Sequence, residues 1–206
     1  MSVKRISVGE LGTNCYIYCD EATGRCAIVD PGEMDDYLQS NIETFGCDKF
    51  DYILLTHCHF DHVGGVSAVK ELTGAKIAIL APDVPGLRDM YVNLSAPFTG
   101  RGEVYPKPDI ELTDGEKFTV GQTEFTVMHT PGHTVGSCCF ITDGIIFSGD
   151  TLFRMSAGRT DFPGGSMTQL RGSLKRLMKL DGNYTVYPGH DAPTTLASER
   201  EYNPYC

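Results

Sequence analysis

No stretch of this sequence is apolar for long enough to cross a bilayer. Ile77-Ala78-Ile79-Leu80-Ala81 is typical of its longest apolar runs, whereas a spanning helix needs about 20 such residues. The start, Met1-Ser2-Val3-Lys4-Arg5-Ile6, lacks the apolar core of a signal peptide. Basic residues are scarce: 17 against 27 acidic ones, a formal charge of −10. That balance repels phosphate backbones, so no nucleic-acid partner and no membrane association are expected. The eight cysteines (Cys15, Cys19, Cys26, Cys47, Cys58, Cys138, Cys139 and Cys206) include no C-x-x-C pair and no framework spacing. They are expected to be free thiols in a reducing cytoplasm, several of them serving as small apolar strand residues.

What is present fits an ordinary globular chain, 41% apolar and 21% charged. A length of 206 residues is expected to form one domain over 1–206. The most informative stretch is Thr56-His57-Cys58-His59-Phe60-Asp61-His62, directly after the apolar run Tyr52-Ile53-Leu54-Leu55. In extended chain His57 and His59 point the same way, while Asp61 and His62, being adjacent, cannot both do so. The spacing suits two neighbouring metals: a His pair for one and an Asp-His pair for the other. Imidazole and carboxylate suit zinc, and with less selectivity iron or manganese.

The first thirty residues read as strands (3–8, 15–19 and 26–29), the last ending at Asp30-Pro31-Gly32. A helix follows, with Met34, Leu38, Ile42 and Phe45 on one face and Gly46 as its stop. Strand 52–55, helix 63–72 and strand 76–80 then form a β-α-β element with the His/Asp cluster at a strand's carboxyl end, the edge where α/β sheets bind ligands. The proline- and glycine-broken segment 82–109 reads as a lid or a surface excursion. Further strands are expected at 117–120, 124–129, 137–141, 145–148 and 185–187. A helix is expected at 166–180, with Ser166 and Gln169 as a capping box. His133 (after Pro131-Gly132), Asp150 (after Ser148-Gly149) and His190 (after Pro188-Gly189) each follow a strand. With the first cluster they make seven candidate ligands, enough for two metals sharing one carboxylate.

The pieces T-H-C-H-F-D-H-V-G-G, H-T-P-G-H-T-x-G-S, S-G-D-T-L-F, G-R-T-D-F-P-G-G-S and Y-P-G-H together resemble the metallo-β-lactamase superfamily, most of all its hydroxyacylglutathione hydrolase (glyoxalase II) branch. The resemblance implies a four-layer αββα sandwich, two mixed sheets with helices on both outer faces. It also implies His57, His59 and His133 on one metal, Asp61, His62 and His190 on the other, and Asp150 bridging them opposite a hydroxide. The implied cofactor is a pair of divalent ions, zinc first. The implied activity is hydrolysis of a small hydroxyacyl thioester. Asp61 is the candidate catalytic residue beyond the metals, because the motifs offer no general acid except it and water. Arg159 is the candidate substrate contact. Two departures stand out: the helical domain that helps bind glutathione is expected to be missing, and the substrate loop reads Gly158-Arg159-Thr160-Asp161-Phe162 where the branch has an aromatic hydroxyl in place of Asp161. A mononuclear iron persulfide dioxygenase shares the H-x-H-x-D-H and Gly-Arg-Thr-Asp-Phe patterns and is the main alternative, with lactonase activity as another.

Four features remain. Asp30 either orients a ligand histidine or caps its own turn. His129, alternating with Val127 and Phe125, reads as a satisfied core histidine. Cys58 should point away from the metals, and Arg171, Lys175, Arg176 and Lys179 read as a solvated helix face.

Overall fold

A computed structural model describes residues 2–206. Strands β1 (Ser2–Val8), β2 (Thr13–Cys19) and β3 (Cys26–Val29) pair antiparallel in succession. Helix α1 (Asp36–Phe45), β4 (Phe50–Leu55), the short α2 (Phe60–Val63), α3 (Val66–Thr73) and β5 (Lys76–Leu80) follow. After a connection holding α4 (Ser95–Thr99), β6 (Ile110–Leu112) completes a sheet of order β1-β2-β3-β4-β5-β6, parallel from β3 onward. The second half runs β7 (Lys117–Val120), β8 (Thr123–His129), β9 (Cys138–Thr142) and β10 (Ile145–Gly149) as an antiparallel meander. A small hairpin, β11 (Leu152–Phe153) with β12 (Ser156–Ala157), precedes α5 (Met167–Met178). Strand β13 (Thr185–Pro188) returns parallel to β10, then come β14 (Thr194–Thr195) and α6 (Leu196–Tyr202). The second sheet therefore has the order β14-β13-β10-β9-β8-β7.

Strand periodicity explains the layering. Along β2, Cys15, Ile17 and Cys19 join the cluster beneath α1 and α3, while Tyr16 and Tyr18 point into the space between the sheets. Strands β4 and β5 divide in the same way, Ile53 and Ile77 to the helices and Leu54 and Ala78 to the sheet interface. On the other sheet Phe125, Phe140 and Phe147 fill the interface, whereas Cys139, Ile146 and Val186 pack on Leu170 and Leu174 of α5 and Leu196 of α6. Strands buried on both faces need apolar residues at nearly every position. The three apolar layers thus separate four layers of structure, αββα.

The helix expected after Gly32 forms as α1. Asp35 caps it, accepting from the Leu38 amide at 2.6 Å, and Gly46 ends it at φ 94°. The helix expected over 63–72 is interrupted at Gly64-Gly65, where the chain presses on the Asp30 turn and Gly65 donates to Pro31 O at 2.7 Å. Helix α5 begins after Ser166, whose hydroxyl accepts from Gln169 N. Strands β6 and β11, β12 and β14, and helices α4 and α6, were not anticipated; most are too short to show a period. One expectation is corrected. Cys19 and Cys26 are directly opposed across β2 and β3, with Cα atoms 4.2 Å apart, and form a disulfide. Spacing rules missed it because a hairpin, not a short sequence motif, brings the pair together. The other six cysteines, Cys15, Cys47, Cys58, Cys138, Cys139 and Cys206, are free thiols. Among the described residues no helix is long and apolar enough to cross a membrane.

Phe147 stacks on Tyr187 at 5.6 Å and packs against Tyr16 at 5.4 Å, joining the two sheets through its ring. Phe147→Ala is expected to lose about 3–5 kcal/mol of stability, read as a lowered urea midpoint with unchanged m-value.

Candidate metal centre

The carboxyl ends of β3, β4, β10 and β13 converge on one rim, and backbone bonds stitch the sheets there: Cys138 N to Thr56 O at 2.9 Å and Asn14 N to Gly189 O at 2.7 Å. All seven ligand candidates lie at this rim. Three overlapping groups have donor atoms within 4.8 Å of one another: His57, His59 and His133; His57, His62 and Asp150; Asp61, His62 and His190. The first and last match the two sets that the family resemblance implies, and Asp150 lies between them. Its Oδ1 is 3.4 Å from His62 Nε2, and its Oδ2 is 3.5 Å from His133 Nε2 and 3.7 Å from His190 Nε2.

These residues pass two tests of fit to a metal. Four of their buried polar atoms, His57 Nε2, His59 Nε2, His62 Nε2 and Asp150 Oδ1, have no hydrogen-bond partner, a costly arrangement unless something else binds them. Spacing gives the second test. Donors on one tetrahedral zinc, with bonds of about 2.0–2.1 Å, lie about 3.4 Å from each other. Besides the three Asp150 separations, Asp61 Oδ2 is 3.5 Å from His62 Nε2 and 3.2 Å from His190 Nε2. Most of these gaps around Asp61 and Asp150 exceed an ordinary hydrogen bond and match the edges of a coordination polyhedron, whereas His59 Nδ1 and His133 Nε2 stand at hydrogen-bond distance, 2.9 Å.

Asp30 sets the tautomers. Its carboxylate accepts from Thr56 N at 2.8 Å, from Thr56 Oγ1 at 2.6 Å and from His62 Nδ1 at 3.0 Å. With its proton given to Asp30, the Thr56 hydroxyl accepts from His57 Nδ1 at 3.1 Å. One carboxylate thus turns the Nε2 atoms of His57 and His62 inward, the usual division of labour around ligating imidazoles. Of the two roles considered for Asp30, orienting a histidine is the one the geometry shows; the turn itself is closed by Gly32 N on Asp30 O. His133 is set in the same way, donating from Nδ1 to Arg159 O at 2.8 Å.

Protonation divides the cluster. Burial, reinforced by neighbouring imidazoles, pushes His57 well below the usual histidine range and His59 to about 3, so both present lone pairs at neutral pH. Burial also acts on His62, but Asp61, Asp150 and Asp30 outweigh it and raise its pKa. Burial works against the charge of Asp61 too, yet His62 and the His190 hydrogen bond hold it at about 2. Burial and imidazoles compete likewise at Asp150, which ends well below the carboxylate range. The rim is built to hold positive charge.

Several supporting residues escaped sequence reasoning. Thr13 Oγ1 donates to Asp61 Oδ2 at 3.0 Å. Asn14 Nδ2 and Tyr16 Oη both donate to Pro188 O, at 2.9 and 2.6 Å, fixing the turn that carries His190. Asp83, buried, accepts from Cys58 N and Thr134 Oγ1 through Oδ2 and from Gly136 N through Oδ1, tying together the loops that carry His59 and His133. Polar residues inside otherwise apolar strands were the available signal for Thr13 and Asn14. Gly189 is needed for close approach: a Cβ there would fall 2.2 Å from Asp150 Oδ1 and 2.6 Å from His62 Cε1.

The other singled-out residues lie outside the cluster. Cys58 is fully buried in the core under α3, its thiol pKa pushed up by burial and by Asp83. His129 is half-buried, its Nε2 donating to Val135 O at 2.9 Å. Arg176 is more than a solvated charge, since it bonds Asp114 and His129 O. Arg159 is exposed but not free: it holds Asp161 through two bonds of 2.7 Å and lies over the Phe162 ring at 3.9 Å.

Fold and rim together define a metal-dependent hydrolase. A family model described as the metallo-beta-lactamase superfamily matches residues 8–190, and the chain belongs to that superfamily. It is similar to the crystal structure of BLEG-1 B3 metallo-beta-lactamase, 35% identical at a TM-score of 0.92 with 99% of each chain covered. A similar structure is TTHA1623 in a di-iron-bound form, 35% identical at a TM-score of 0.84 over 98% of this chain and 100% of that one. ETHE1 from Myxococcus xanthus is 28% identical at a TM-score of 0.79 over 99% and 84%. Hydroxyacylglutathione hydrolase of Pseudomonas aeruginosa (strain LESB58) is 35% identical over 85% of this chain, which spans 60% of that protein.

Asp30→Asn tests the tautomer assignment without a change of backbone, because Asn tolerates the left-handed conformation held there at φ 50°. It is expected to weaken metal binding about 10–100-fold, measured by competition with a chromogenic chelator. Cys58→Ser should leave metal content unchanged in the same assay.

Proposed function

We propose that the chain is a binuclear metal hydrolase acting on small hydroxyacyl thioesters, as in the glyoxalase II branch. His57, His59 and His133 would hold one ion and Asp61, His62 and His190 the other, with Asp150 placed between the two sets to be shared by both. Zinc is the first choice of metal, and the di-iron form of TTHA1623 makes iron the alternative. A bound pair would supply hydroxide at neutral pH and polarise the carbonyl.

The observation that carries the thioester reading is the state of the protein's own hydroxyls beside the rim. Thr13 donates to Asp61, Thr99 to Ser95 O and Tyr105 to Glu103. With those donors committed and Asp61 held ionised, solvent is left to protonate a leaving group. A thiolate, of parent pKa about 8.5, departs without a proton; an amide nitrogen or a lactone alkoxide does not leave so readily. The likeness to the Pseudomonas hydroxyacylglutathione hydrolase supports the same reading, although Arg159, engaged with Asp161, offers a poor handle for glutathione. The second reading, an iron persulfide dioxygenase, is favoured by the Gly158–Phe162 loop and is compatible with the likeness to ETHE1. Oxygen uptake with a persulfide separates the two.

Purified protein is expected to hold close to two metal ions per chain by elemental analysis. Asp150→Ala should reduce both the metal content and the hydrolysis, and a fully metallated, active variant would sink the bridging role. In a broad panel, thioesters should be cleaved well ahead of lactones and β-lactams, and faster turnover of a β-lactam than of any thioester would overturn the reading.

A further inference from the structure

A cleft of about 570 Å³ opens beside the rim, with the candidate ligand Asp61 and its partner Thr13 among the residues that line it. The turn between β1 and β2 forms one wall, and the segment from α4 to Tyr105 forms the other. Its apolar surface comes chiefly from Leu11, Phe60, Phe98 and Tyr105. Leu11 and Phe98 remain half-exposed at its mouth, and Phe60 and Phe98 stand 5.7 Å apart. The charged residues lining it are all acidic: Glu10, Glu33 and Glu103 besides Asp61, with no lysine or arginine.

Among the described residues none of the three glutamates is in an ion pair. Glu103 accepts a hydrogen bond from Tyr105 at 3.3 Å, which leaves its charge in place. Glu33 lies against the β1–β2 turn, its Oε2 3.1 Å from where a Cβ on Gly9 would stand. Exposed glutamates usually gain nothing by crowding a concave apolar surface, because desolvation and mutual repulsion oppose it. Aromatic rings together with unpaired carboxylates are the combination that holds an organic cation. The overall charge of −10 acts in the same sense at long range.

We propose that this cleft selects a substrate whose distal arm carries a positively charged amine or quaternary ammonium, and that it discriminates against arms ending in a carboxylate. The inference rests on the thioester reading for the bond that is cleaved: water adds to the acyl carbon, the C–S bond breaks, and the products are a carboxylic acid and a thiol. It makes glutathione esters and carboxylate-bearing β-lactams poor substrates for a reason separate from leaving-group chemistry.

The test uses metal-loaded protein and three thioacetates of similar shape: acetylthiocholine, its uncharged carbon isostere 3,3-dimethylbutyl thioacetate, and 3-(acetylthio)propionate. The expected order of kcat/KM is cation, neutral, anion, with a ratio of about tenfold between the extremes at low salt, as a few partly exposed charge contacts can supply. The ratio should collapse toward one at about 1 M salt, where the screening length is about 3 Å, and in the double variant Glu33→Gln/Glu103→Gln. A ratio at or below one, or a ratio that the double variant leaves unchanged, overturns the proposal. Failure to hydrolyse any of the three would defeat the thioester reading instead. The cleft is then judged by calorimetry, with thiocholine and 3-mercaptopropionate titrated into the metal-loaded protein. Tighter binding of thiocholine upholds the charge preference, and equal or weaker binding overturns it.

Discussion

Much of the rim depends on where one carboxylate is placed. Asp30 occupies a left-handed backbone position at the end of β3 and reaches across to β4, where it takes the Thr56 amide and hydroxyl and the His62 ring. Those bonds align two strand ends, fix the tautomers of two imidazoles and supply part of the negative charge that surrounds His62. Each function needs the others, since a ring aimed correctly but in the wrong tautomer would present a proton to the metal.

The remaining geometry follows from how two sheets meet. Neither half carries all of the candidate ligands: His57, His59, Asp61 and His62 come from the first, and His133, Asp150 and His190 from the second. Rigid strands fix where these short loops begin, and small residues such as Gly189 let the loops approach within contact of the ligands. The bonds from Asp83 to the 58 and 134–136 segments, and from Asn14 and Tyr16 to Pro188, are the braces between halves.

Much of this was legible in the sequence, for definite reasons. His57 to His62 crowd one strand end, and strands buried on both faces announce themselves as unbroken apolar runs. The braces were illegible, because a buried Thr13 or Asp83 acquires its role from a partner tens of residues away. The Cys19–Cys26 bond was hidden in the same way, since it depends on strand register. The break between α2 and α3 was missed because helical periodicity does not see the Asp30 turn that Gly64-Gly65 must accommodate. The Asp161 substitution in the substrate loop was visible, but its consequence, an Arg159 already engaged, appears only in three dimensions.

The division of ligands between the halves gives any bound metal a second meaning. An ion held by His57 and His133, or by Asp61 and His190, is a tie across the sheet interface as well as a reagent. Its binding energy is therefore shared with the packing of Phe125, Phe140 and Phe147 against Tyr16 and Tyr18. A core change that lets one sheet slide by a fraction of an ångström would first appear as a loosened grip on the ion, before the chain lost its fold. In this architecture metal affinity serves as a gauge of how well the two halves of the molecule are in step.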